Sequence, residues 1–414
     1  MTSATERQRD ATRSDTGRRL CALAVLTLTA ALPVAMAFAN RSSPLLLSVA
    51  AILAVAAAWL ERGPGALGAS FSRLLRTPEA WAAAAFLAWA LVSVSWSVDR
   101  RLSLATLGEF VIPLAAAIAL AATLPDRLPR WAPLALAAAL VVVSILVAVE
   151  VRLDFPLRRL WGGRIESFVM NRPIVTAVVL FWPLAAALRA QRRSALAAVA
   201  FLCVAAAAVM STSGSSKLGV IAGAAVYGLA LAAPRVAAWA GVALLVIVVA
   251  AQPWFGVLAD RAIPQRGFEA LKAAHARERV DIWLAFGEVA RLRPLTGTGF
   301  GSSARIEADP VAAQVPAERR EMLGVGHPHD APLQVWTELG APGGLLALAF
   351  CGLLARRFSA MPVCVLPERL AFFAAAMAVA LESHGAWQGW WITAVAVPVV
   401  LFSRPPDAAR EADQ

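Results

Sequence analysis

The residues able to do chemistry in this chain fall into a few stretches. Two of its four histidines sit in His327-Pro-His329, directly before Asp330. Neutral imidazole is suited to take a proton near pH 7, which makes His329 a candidate base. A loop-closing or capping role suits the same histidines. His-Pro-His is poor geometry for a shared ion, and no carboxylate cluster stands beside it, so no metal site is expected. A second stretch, Ser211-Thr-Ser-Gly-Ser-Ser-Lys217, sets hydroxyls, among them Ser216, before the cation of Lys217. Arginines complete the set: Arg158, Arg159 and Arg164, then Arg172, and then Arg266, Arg277 and Arg279. Guanidinium groups grip phosphate oxygens in pairs and stay charged, while lysine offers a point charge. Fixed cations above a bilayer suit a pyrophosphate-linked lipid, although any one arginine would equally rest against lipid head groups. Asp281 either orients Arg279 or solvates its helix. Glu382, near the end of an apolar segment, is a candidate because ionisable groups in spans are costly.

The elements that hold these residues are apolar. Of 414 residues, 59% are hydrophobic and only 16% charged, and mean hydropathy is +0.67. One or two soluble cores could not hide that much apolar surface. The apolar residues come in blocks long enough to cross a hydrocarbon layer of about 30 Å as helix. A single soluble domain, a nucleic-acid binder and a disordered chain are excluded. The expected fold is an all-α polytopic membrane protein with about twelve transmembrane helices near 20–39, 45–60, 80–96, 104–124, 131–149, 170–188, 195–210, 216–233, 236–251, 332–355, 369–383 and 386–402. The four cysteines show no CxxC spacing, and no phosphate loop or dinucleotide fingerprint occurs, so no cofactor is expected.

The net charge of +11 reads first as topology. Arg7, Arg9, Arg13, Arg18 and Arg19 hold the tail 1–19 in the cytoplasm, and the even-numbered loops carry further arginines, such as Arg73, Arg127, Arg192 and Arg356. Both termini, including 403–414, then face the cytoplasm. The division is helices one to nine over 20–251, a long outer loop over 252–331, and helices ten to twelve over 332–402. That loop, expected to be periplasmic, carries most of the polar chemistry. Its stretch 268–293 has the apolar spacing of an amphipathic helix, and the Gly297-Thr-Gly-Phe-Gly301 cluster reads as a turn.

At His329 the sequence resembles a known family. His327-Pro-His-Asp-Ala-Pro-Leu-Gln-Val-Trp-Thr-Glu-Leu-Gly-Ala-Pro-Gly-Gly344 is similar to the signature of the O-antigen ligase and polymerase superfamily. Arg279-Val-Asp-Ile-Trp283 with Arg293-Pro-Leu-Thr-Gly-Thr-Gly-Phe-Gly301, and Ser213-Gly-Ser-Ser-Lys-Leu-Gly219, resemble two further blocks of it. Asn171-Arg-Pro173 and Trp387-Gln-Gly-Trp-Trp391 also resemble ligase-like members. The resemblance covers roughly 160–400. It implies a metal-independent glycosyltransferase of the bacterial inner membrane, working on the periplasmic face. The implied donor is a glycan on undecaprenyl pyrophosphate, and a ligase passes it to lipid A–core oligosaccharide. Arg279 and Lys217 would neutralise the pyrophosphate, and His329 would activate or orient the acceptor hydroxyl. Two departures stand out: Lys217 where arginine is commoner, and Asp330 where asparagine is. A polymerase of the same superfamily, for O-antigen or exopolysaccharide, and a lipid transporter are the competing readings.

Overall fold

In the computed structural model, the described residues are 4–160, 162–163, 165–271, 275–382 and 384–404. Among them the regular structure is entirely helical. All twelve expected apolar segments form helix. Ten are long and apolar enough to cross a membrane: α1 (Arg13–Phe38), α2 (Ser43–Leu75), α3 (Pro78–Trp96), α4 (Arg100–Thr123), α5 (Ala132–Arg152), α6 (Phe168–Ala190), α8 (Gly214–Ala232), α9 (Pro234–Ala262), α12 (Ala331–Ala360) and α13 (Val363–Ala380). The other two, α7 (Ser194–Met210) and α14 (Gly389–Phe402), are apolar but shorter. Large apolar side chains such as Leu45, Ile52, Trp81, Ile112, Leu202, Ile221, Leu244 and Leu345 point outward. Water would penalise such a surface, whereas hydrocarbon does not.

The helix starts follow local chemistry. Thr77, Asp99, Ser213 and Asp330 each accept a hydrogen bond from a backbone N–H in the first turn of the helix that follows. Such caps satisfy donors that have no partner within the helix. The innermost helix is α6, with 78% of its apolar window buried; its neighbours include α5, α7, α13 and α14. Its first turn carries Asn171 and Arg172, so these polar groups start at the centre of one end of the bundle.

The region between α9 and α12 differs in detail from its sequence pattern. Helix α9 continues to Ala262, past the expected end at 251. The expected helix over 268–293 is instead a short α10 (Gln265–Ala270) and a longer α11 (Ala276–Leu292). His275 does not ride on that helix; it stands at the N-cap of α11 with a positive φ of 54°. The region builds its own apolar core: Ile282, Phe286 and Val289 of α11 pack with Ile306, Val311 and Leu323 and with Leu333 of α12.

Helix α12 is broken at Gly340, where φ is +61°. The break frees carbonyls inside an apolar bundle, where an unmade hydrogen bond is expensive. Each finds a donor. Thr298 N–H bonds the Thr337 carbonyl at 3.0 Å, Gly299 N–H bonds that of Glu338 at 2.8 Å, and the Trp89 indole bonds that of Leu339 at 2.9 Å. The glycine cluster is the turn expected from its composition. It needs glycine at Gly297, where φ is +62° and a Cβ would lie 2.3 Å from the Glu338 carbonyl.

Candidate functional site

The starts of α6, α8, α12 and α14 and the end of α13 gather at one end of the bundle, joined by contacts between their polar residues. Gly326, at φ +84°, turns the chain into His327-Pro-His329. His329 also takes a positive φ of 54°, and its N–H donates to Nδ1 of His327 at 3.2 Å. Their ring centres are 4.1 Å apart. Burial, with His329 and Arg279 adding positive charge, pushes the His327 imidazole down to about 3. His327 is therefore neutral at physiological pH and fixes the backbone that presents His329.

Asp330 anchors this turn at both of its oxygens. Oδ1 caps α12 by accepting from Leu333 N–H at 2.9 Å, and Oδ2 accepts from the buried Gln252 of α9 at 3.2 Å. Burial pushes its carboxyl up to about 7, against the downward pull of those two hydrogen bonds. Below it, Glu338 accepts from four donors: Gly301 N–H, Ser303 N–H, Gln334 Nε2 and Trp387 Nε1. Gln334 Oε1 in turn accepts from Ala386 N–H at 2.8 Å. One buried pair of side chains thus locks α12, the 301–303 turn and the 386–387 turn together.

Arg279 reaches the same end from α11. Its Nη2 lies 3.5 Å from Oε1 of Glu382, and its Nη1 is buried without a hydrogen-bond partner among the described residues. Burial pushes the Glu382 carboxyl up, and the Arg279 charge opposes it. Glu382 also faces α8, since a Cβ on Gly214 would lie 3.3 Å from its Oε1. Lys217 is three residues on from Gly214 and so shares that helix face. The Ser216 hydroxyl is fully buried and donates to the Ser213 carbonyl at 3.0 Å, so it holds the turn. Thr212 links this turn to α6 by a hydrogen bond to Asn171 at 3.3 Å. Beside Asn171, the Arg172 guanidinium stacks 5.3 Å from the Trp390 ring, and His384 meets the same ring edge-on at 4.5 Å. Burial and the nearby charges of Arg172 and Arg279 hold His384 well below its usual range.

The structure thus brings together His327, His329, Asp330, Arg279 and Arg172, with Lys217 one turn along α8 from the point where Gly214 meets Glu382. The remaining arginines lie elsewhere or are otherwise engaged. Arg158 is buried against Glu150 at 3.6 Å and donates to the Ala37 carbonyl, while Arg159 pairs with Asp154 at the surface. Arg266 is exposed on α10, and Arg164 lies outside the described residues. Asp281 pairs with Arg277 rather than with Arg279, whose carboxylate neighbour is Glu382. Glu338 and Gln334 escaped the sequence reading. The available signal was an acidic residue inside an apolar span. Among the described residues no three His, Cys, Asp or Glu side chains group as a metal centre would require.

No curated protein matches the chain. The stretch 198–348, which carries Lys217, Arg279 and His329, matches the model of the family described as O-antigen ligase, and this supports the O-antigen ligase superfamily for this chain.

Proposed function

We propose that this protein is an O-antigen ligase. It moves O-antigen polysaccharide from undecaprenyl pyrophosphate to lipid A–core oligosaccharide on the periplasmic face of the inner membrane. The observation that carries this reading is the convergence of the Arg279 guanidinium, the Lys217 face of α8 and the His327–Asp330 turn at one end of a membrane bundle. The family match over 198–348 supports glycosyl transfer as the chemistry.

The chemistry follows from those groups. An acceptor hydroxyl attacks the anomeric carbon while the bond from that carbon to the pyrophosphate oxygen breaks, inverting the configuration. His329 takes the hydroxyl proton as the new glycosidic bond forms, and loses it to solvent or to the released pyrophosphate. Arg279 and Lys217, with Arg172 nearby, offset the charge that builds on the leaving group, without a metal ion. Among the described residues the buried Nη1 of Arg279 has no hydrogen-bond partner, which leaves it as a donor for a phosphate oxygen that reaches it. Glu382 holds the other nitrogen at a distance too long for a strong bond, so exchanging it for phosphate costs little.

The test is the lipopolysaccharide ladder of a deletion strain complemented with the wild-type chain. Loss of the ladder with accumulation of full-length lipid-linked O-antigen is the expected result. Accumulation of single-repeat material would overturn the ligase assignment in favour of a polymerase. An unchanged ladder would overturn both.

A further inference from the structure

A polar cavity beside the transfer site opens onto an apolar groove in the outer face of α2 and α4. The cavity holds about 510 Å³, and its walls include Arg41, Pro44, Glu109, Ile112, Arg172 and Gln388. Arg172 places it at the end of the bundle that holds His329. Arg41 stands in the turn before α2, Glu109 on α4, and Gln388 directly before α14. Gly389 sets the last two side by side, because a Cβ there would lie 2.9 Å from the Glu109 carbonyl. The Trp390 indole donates to Oε1 of Gln388 at 2.6 Å, so the NH₂ group of that amide is the part left to donate. Arg41 and Glu109 are exposed, and Arg172 and Gln388 are half-buried.

Ile112, 58% exposed, stands in the wall of this cavity and also in that of a groove of about 670 Å³ between α2 and α4. The groove runs inward from Ser48 to Leu60, about 18 Å at 1.5 Å per residue. Ile52, Trp59 and Ala115 line it, and all three are exposed. A charged pocket continuous with an apolar groove suits an amphiphile. Guanidinium groups take its phosphate, while a carboxylate and a carboxamide exchange hydrogen bonds with sugar hydroxyls.

The chemistry of transfer says which amphiphile. Inversion requires the acceptor hydroxyl to attack from the face opposite the departing pyrophosphate. Arg279 and Lys217 meet that pyrophosphate from α11 and α8, where α8 packs against α13 and α6. The cavity lies away from them, since α14 packs between α6 and the α2–α4 pair. An undecaprenyl tail would also run far beyond the groove, whereas an acyl chain matches its length. Resting on the ligase reading above, we propose that the cavity and groove seat the acceptor glycolipid. Its phosphate lies against Arg41, its sugar hydroxyls against Glu109 and Gln388, and one acyl chain along Ile52, Trp59, Ile112 and Ala115. Arg172 then stands between acceptor and donor.

The test uses the purified full chain in detergent, titrated separately with lipid A–core and with undecaprenyl pyrophosphate and read by native mass spectrometry. Transfer from lipid-linked donor to lipid A–core is assayed on the same samples. Arg41→Gln should weaken lipid A–core binding by about 5-fold, the effect of one interfacial cation, and leave undecaprenyl pyrophosphate binding unchanged. That loss should disappear with lipid A–core stripped of its phosphates. Ala115→Phe, which puts a ring into the groove, should weaken binding of lipid A–core but not of its core oligosaccharide freed of lipid. Both positions are exposed, and size-exclusion profiles check assembly. Transfer to lipid A–core with both variants binding it normally would overturn the acceptor seat and leave the ligase reading standing. Loss of undecaprenyl pyrophosphate binding in either variant, or no binding of lipid A–core by the wild type, would likewise overturn the seat. Lipid A–core held as expected, but with glycan passed only to another lipid-linked glycan, would overturn the ligase reading instead.

Discussion

Replacing Glu338 by glutamine tests the lock beneath the histidine turn with a near-isosteric change. Oε2 accepts from Gly301 N–H and the Trp387 indole, and Oε1 accepts from Ser303 N–H and Gln334 Nε2. A glutamine must turn an NH₂ group toward one of these pairs, so two buried donors lose their acceptor. Facing the Gln334 side, the clash could be relieved if Gln334 flipped. Its oxygen would then leave Ala386 N–H, so the loss would only move. Each unmet buried donor costs about 1–3 kcal/mol, which gives about 2–6 kcal/mol for Glu338→Gln. With an unfolding entropy of about 2.1 cal/mol/K per residue, a chain of this length should lose roughly 2–7 °C in apparent Tm. Tryptophan fluorescence of the purified protein in detergent reads the transition, and size-exclusion profiles check assembly. A variant that melts within about 1 °C of the wild type would refute the buried network as the element joining α12 to the 301–303 and 386–387 turns.

Other expectations follow from single contacts. Gly340→Ala forces a Cβ to 2.7 Å from the Leu295 carbonyl at a φ of +61°, so the variant should misassemble or melt well below wild type; normal stability would refute the break in α12. The imidazole of His327 sits at about 3, below its usual 6.5. Its neutral form therefore supports the fold above about pH 6.5, and that support is lost as pH falls toward 3. Between about pH 7.5 and 5 the wild type should lose more apparent Tm than His327→Asn, and parallel curves would contradict the assignment. His329→Ala should cut transfer by about 10²–10⁴-fold while lipid-linked donor still binds. Arg279→Ala should weaken donor binding itself, so normal binding and transfer in both variants would sink the site assignment. Alkaline phosphatase fused after residue 300 should be active and after 360 inactive; the reverse would put the histidine turn in the wrong compartment.

What the sequence reveals about this molecule divides along a physical line. Apolar blocks mark the helices because a helix of given length must be apolar to sit in hydrocarbon, and Thr77, Asp99, Ser213 and Asp330 mark starts because first-turn N–H groups need acceptors. Which helix meets which is not encoded locally: the lipid-facing and core-facing stripes of α3 or α8 use the same Ala, Leu and Val. For that reason Arg279 reads as a cation but not as the neighbour of Glu382, and Asp281, close in sequence, bonds Arg277 instead. Spacing along a helix fixes only the face, and a partner lies on whichever helix packs there.

The same reasoning explains why Ser216 and Glu338 are easy to misjudge. A hydroxyl beside a lysine suggests a ligand, yet in the first turn of α8 its cheapest acceptor is the Ser213 carbonyl three residues back. A glutamate within Leu-Gln-Val-Trp-Thr-Glu-Leu-Gly looks like an ordinary helix former until Gly340 breaks α12 and frees the carbonyls beside it. The break draws the glycine turn into the bundle, and the turn then presents Gly301 and Ser303 N–H to Glu338. A buried carboxylate in a span is tolerable because four donors surround it, and the donors are there because the helix is broken. The break in α12 and its glutamate therefore stand or fall together, and they brace the end of the helix that begins beside His329.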